Sequence, residues 1–194
     1  MKKTIITAFV LGIIFIACQK NAITGRRSLD LMPESEMISM SLTEYDKFLA
    51  EHKPLPDSDK RTVMVRTVGT KIQHAVEKYY ADKGLSSSLS GFQWTFNVVD
   101  EATVNAWCMP GGKVVVYTGL LPVTQDEASL AVVMGHEIAH AIARHGNERM
   151  SQGLLLQLGG VALDVATSTK PDETRQLFQL AYGVGANVGV LLPY

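Results

Sequence analysis

The sequence predicts an α+β domain, mainly helical, with a small antiparallel sheet set beside one helix. Three observations predict it: apolar residues at helical spacing toward both ends, a short central block that alternates with a period of two, and a capped helical stretch directly after that block. The chain has 194 residues, 46% of them hydrophobic, enough for one core. Lys and Arg number 18 against 19 Asp and Glu, a formal charge of -1. No basic surface for nucleic acid is predicted from that balance.

Residues 1–17 are set apart from the domain. Lys2 and Lys3 precede the charge-free run "TIITAFVLGIIFIA", which reads as a signal peptide. It is shorter than the roughly 20 apolar residues of a bilayer span, and an uncleaved membrane anchor is the alternative. "FIAC", Phe15 to Cys18, resembles a bacterial lipobox with Phe15 in place of the usual leucine. That resemblance implies that Cys18 is lipidated and ties the protein to a membrane; cleavage after Ala17 to a soluble protein is the competing reading. Residues 18–33 then form a lipidated tether, and 34–194 the domain. Cys108 is the one cysteine left besides Cys18, so no disulfide within the domain is expected, and it reads as a buried structural thiol.

In "PESEMISMSLTEYDKFLAEH", Met37, Leu42, Tyr45 and Leu49 have helical spacing. A second helix follows from about Asp59 to Ala81, with Val63, Val65, Val68, Ile72, Val76 and Tyr80 as its apolar positions and Gly84 beyond it. His52 and His74 lack a partner at i+3 or i+4 and read as solvated or locally bonded. "GFQWTFNVVD" alternates Phe92, Trp94, Phe96 and Val98 against Gln93, Thr95, Asn97 and Val99, the pattern of a half-buried strand. "NAWCMPGGKVVVYTG" reads as two strands about Pro110, Gly111 and Gly112, with Val114 and Val116 on one face and Val115 and Tyr117 on the other. "GLLLQLGGVALDVA" and "LFQLAYGVGANVGVLLPY" are apolar almost all round and read as buried helices.

Between the strands and those last helices lies "MGHEIAHAIARHGNERMS". Thr124 and Glu127 have capping-box spacing, and the helix they would start runs to Gly146 as its stop. At about 100° per residue, His136 and His140 lie about 40° apart around the axis and one turn apart along it. Both imidazoles face one point, with Glu137 beside them. Two histidines and a carboxylate on an apolar helix must be satisfied, and a divalent metal would satisfy them.

With those residues in view, the chain resembles the gluzincin metallopeptidases of the HtpX and prenyl-protein (CAAX) protease type, peptidase family forty-eight. "NAWCMPGGKVVVYTGLL" matches the family's Asn-Ala-x-x-x-Pro-Gly-Gly strand pair, and "DEASLAVVMGHEIAHAIARH" its metal helix. The signal ending at Cys18 and "ITGRRSLDLM" resemble the periplasmic lipoprotein branch. The resemblance implies zinc on His136 and His140, Glu137 as general base on a water, and an extended peptide laid along Asn105, Ala106, Trp107, Cys108 and Met109. It implies unfolded or misassembled envelope proteins as substrates, at the periplasmic face of a bacterial membrane, the outer one by preference.

Catalytic zinc takes three protein ligands. On a continuous helix His145 projects about 140° from His140 and about 180° from His136 and faces away from the metal; Arg144 and Arg149 read as helix-end or surface charges. Asp164 is conceivable as a ligand, but the resemblance argues against it. The family's Glu-x-x-x-Asp element, which carries its third ligand, is expected beyond Tyr194, which makes the domain C-terminally incomplete. A catalytically inactive relative, acting as a noncatalytic binding or chaperone-like lipoprotein, is the alternative function.

Overall fold

The computed structural model describes residues 18–21 and 25–186. The signal peptide, most of the lipobox and the last eight residues of the second apolar stretch fall outside them. Two short strands, β1 (Cys18–Lys20) and β2 (Arg27–Leu29), pair antiparallel with Cys18 opposite Leu29. Next come helices α1 (Glu34–Glu51) and α2 (Lys60–Asp82), and then strands β3 (Thr95–Val99), β4 (Ala106–Met109) and β5 (Lys113–Tyr117). A short α3 (Leu121–Thr124) leads into α4 (Glu127–Ile142), α5 (His145–Thr167) and α6 (Asp172–Ala186).

The mostly helical α+β class is as expected, but the sheet is mixed rather than antiparallel. Its order is β3-β5-β4. β4 and β5 form the expected hairpin, with Met109 opposite Lys113. The turn uses Gly111 and Gly112 at φ 88° and 82°, a backbone that residues with a Cβ avoid. β3 lies parallel to β5 on the other side, with Phe96 opposite Val114. Alternation reports which face a side chain takes and carries nothing about strand direction.

β3 is also buried on both faces instead of one. Phe96 and Val98 join Val65, Val114, Val116, Leu130, Met134 and Ile138 in the main core between sheet, α2 and α4. Val99 and Val115 form a second cluster with Tyr45 of α1. Asn97, buried with them, donates to the Tyr45 hydroxyl at 2.9 Å, which satisfies a polar group in a dry layer. α2 approaches β3 closely at Gly69, where a Cβ would overlap the Phe96 ring.

Helix boundaries departed from expectation at two places. The cap of α4 is Asp126, whose carboxylate accepts from Ser129 N at 2.7 Å, while Thr124 ends α3 with its hydroxyl on the Leu121 carbonyl. α4 stops at Ile142, not Gly146. Arg144 takes a left-handed conformation (φ 61°, ψ 29°), and α5 starts at the next residue.

The stretch read as a tether is tied to the domain. Asn147 Nδ2 donates to Met32 O at 2.8 Å, Leu31 N to Ser151 Oγ at 2.9 Å, and Arg26 to Glu148 at 2.5 Å. Arg144 reaches Glu34 at 3.3 Å and Asp30 at 3.9 Å, so it is a strap contact and not a bare surface charge. Asn147, Glu148 and Ser151 are buried beneath this strap.

α5 and α6 fold back on each other as a helical hairpin, with Arg175 on Asp164 at 2.8 Å and the Tyr182 hydroxyl on Leu156 O at 2.9 Å. They are helices, as read, but not buried ones. Leu154, Leu158, Val161, Val165, Leu177 and Leu180 are exposed. Among the described residues no helix is long and apolar enough to cross a membrane.

Candidate active site

α4 is oriented by its buried stripe. Leu130, Met134, Ile138 and Ala141, spaced four, four and three, face the core, which is the period of a helix packed on one side. His136 and His140 lie off that stripe and are exposed. Their rings stand nearly perpendicular, with centroids 4.4 Å apart. The Nε2 atoms are 2.9 Å apart, so both imidazoles aim the same nitrogen at one place, as the sequence predicts. Two imidazoles converging in this way are a donor set suited to zinc.

Beside them a cavity of about 350 Å³ opens between α2 and α4, with Ile72, Val76 and Tyr79 on one wall and His136, Ala139 and His140 on the other. Its lining is mostly apolar, as expected of a site that takes a side chain and keeps water limited.

Glu137 faces β4. Burial pushes the Cys108 thiol up to about 12, and the neighbouring Glu137 carboxylate adds to the rise. A thiol held neutral to that degree is not a nucleophile, in agreement with the structural role read for Cys108. β4 packs against α4, with β5 on one side and, among the described residues, no strand on the other. Of the residues expected along a substrate, Asn105 is exposed, Ala106 is buried, and Trp107 packs on Phe48 and Tyr45 with its indole N–H toward the Tyr117 hydroxyl at 3.4 Å. Cys108 and Met109 are half-buried.

The profile of peptidase family M48 matches residues 68–194. The chain belongs to that family. The mitochondrial metalloendopeptidase OMA1 of Bos taurus is 33% identical over 76% of this chain and 27% of its own length. The mitochondrial metalloendopeptidase OMA1 of Arabidopsis thaliana is 43% identical over 45% of this chain and 19% of its own. The metalloprotease YcaL of Escherichia coli is 28% identical over 52% of this chain and 40% of its own. The chain thus spans well under half the length of these relatives.

His145 does not face away. Its Nδ1 lies 2.5 Å from His140 Nδ1, with ring centroids 4.8 Å apart. The continuous helix assumed in placing it opposite the metal is broken by Arg144. Asp164 is remote: the 19 helical steps from His145 to Asp164 are about 28 Å of helix, and its carboxylate is occupied by Arg175 and Gln179. His52 is locally bonded, as read, stacked on Phe48 at 4.4 Å. His74 is exposed. Among the described residues no group of three or more His, Cys, Asp or Glu is placed to hold a metal ion.

Proposed function

We propose that this chain carries the active site of a zinc-dependent endopeptidase that hydrolyses peptide bonds in unfolded or misassembled envelope proteins, tethered by lipidated Cys18 to the periplasmic face of a bacterial membrane. The observation that carries the proposal is the pair of Nε2 atoms 2.9 Å apart on α4, with Glu137 on the side of the sheet's open strand. His136 and His140 would hold zinc, which takes a third protein ligand at catalytic sites. When bound, zinc supplies Lewis acidity that makes a water nucleophilic near neutral pH.

Glu137 would take a proton from the attacking water and deliver it to the leaving amine. The free edge of β4 pairs with an extended peptide through main-chain hydrogen bonds, so recognition depends little on side chains. Asn105 to Met109 form that edge, and the apolar cavity beside His136 and His140 receives one substrate side chain.

The proposal is tested with an unfolded casein-type substrate and metal analysis of the same samples. Cleavage should require zinc, and Glu137→Gln should abolish it while zinc is retained. Zinc binding with no cleavage in the unmutated protein would favour instead a noncatalytic, chaperone-like binding protein that keeps the same cleft.

A further inference from the structure

The proposed function gives His136, Glu137 and His140 their roles and gives His145 none; the inference here concerns His145 and rests on His140 being a zinc ligand. The two ring nitrogens of His140 face different neighbours. Nε2 points to His136 Nε2 at 2.9 Å, and Nδ1 points to His145 Nδ1 at 2.5 Å. His145 therefore meets the nitrogen that the metal does not use. That geometry removes it as a ligand more firmly than any helical-wheel argument, and it leaves it in direct contact with one.

An imidazole that offers Nε2 to a metal keeps its proton on Nδ1. Ligating histidines pass that N–H to an acceptor, which fixes the ring and raises the basicity of the ligating nitrogen. We propose that His145 is the acceptor for His140: a positioning residue that receives the Nδ1–H of His140 at its own Nδ1 and keeps its own proton on Nε2.

The fold holds His145 in this place by a device of its own. On an unbroken helix His145 would project about 140° from His140. The left-handed Arg144 turns the chain at that point, and the strap fixes the turn from outside. Glu34 and Asp30 hold the Arg144 guanidinium, Met32 O holds Asn147, and Arg26 holds Glu148. Residues 26–34 thus act on a zinc ligand through the turn that carries His145.

The test is zinc affinity, measured by competition with a chelator of known strength, together with nitrogen-15 spectra of the histidine rings in the zinc-loaded protein. His145→Ala should weaken zinc binding by about 10- to 100-fold, and His145→Gln, whose amide oxygen can accept the same proton, should recover much of the loss. In the unmutated protein His140 should be protonated at Nδ1, with that proton hydrogen-bonded. Unchanged affinity in His145→Ala, with binding lost in His136→Ala and His140→Ala, would overturn the inference and leave the ligand assignment standing. Zinc binding that survives both His136→Ala and His140→Ala would overturn the ligand assignment itself. The spectrum of the unmutated protein decides the matter even where a variant fails to fold: a zinc-loaded His140 without a proton on Nδ1 excludes the proposal.

Discussion

α4 and α5 are adjacent helices that each carry a long apolar stretch, yet they sit in the molecule in opposite ways. α4 buries Leu130 and Met134 completely against the sheet and α2, while α5 leaves Leu158 and Val165 64% and 68% exposed. α5 is itself divided. Its first turns carry buried Asn147, Glu148 and Ser151 under the strap, and its later turns pack on α6. Apolar composition states that a surface is costly in water and does not state what covers it. α4 is fixed by area, the start of α5 by polar contacts with residues 115 positions away, and the rest of α5 by one neighbouring helix.

The largest expected effect lies on α4. Met134→Ala should cost about 2–5 kcal/mol from lost burial and the cavity left behind, whereas Leu158→Ala on α5 should fall within about 0.5 kcal/mol; urea unfolding of the two variants measures both. Equal losses would mean that the hairpin is packed as tightly as the core.

Next in size is the strap. Asn147→Ala leaves the Met32 carbonyl without its partner and should cost about 1–3 kcal/mol, with faster proteolytic cleavage between Gly25 and Pro33 as the local readout. Resistance to cleavage equal to that of the unmutated protein would show that the other strap contacts suffice. Smaller again is the effect of Leu158→Lys with Val161→Lys, which should lower dye binding and self-association and leave the urea midpoint in place.

The smallest concerns α2, whose start is held locally. Asp59 accepts from the Arg61 side chain at 2.8 Å and from Arg61 N at 2.9 Å, and these bonds lower its carboxyl from 3.8 to about 2. A carboxyl lowered by folding stabilises fully above its unfolded value and loses that contribution as pH falls through the folded one. Amide-exchange protection in the first turn of α2 should therefore decline from about pH 4 to pH 2. The start of α5 does not depend on Asp59 and should keep its protection when Asp59→Ala removes that of α2.

Much of the candidate site was legible because it is local. His136, Glu137 and His140 lie within five residues of one helix, and the β4–β5 hairpin announces itself by Pro110, Gly111 and Gly112. Burial of Met37, Tyr45, Val65 and Val68 follows helical period, although Leu42 and Val63, read in the same stripes, are exposed. What escaped the sequence depends on distant partners. Nothing near Arg144 marks a left-handed residue; the acids that stabilise it are at positions 30 and 34, and without that turn His145 points the wrong way. The second buried face of β3 likewise exists only because α1 covers it.

The sheet has one further property that bears on how the protein behaves in a crowd. The outer carbonyls of β3 are already taken: Arg66 Nε donates to Phe96 O at 3.2 Å, and Leu55 N to Val98 O at 2.8 Å, with Pro54 bridged to Val99. Proline and a bound arginine are stoppers against unwanted strand addition. β4 carries no such stopper among the described residues, so sheet growth is directed to one side. Under the proposed function, a stray strand from a second copy and a substrate would compete for the same seat, and abundant substrate would act as the protein's own guard against aggregation.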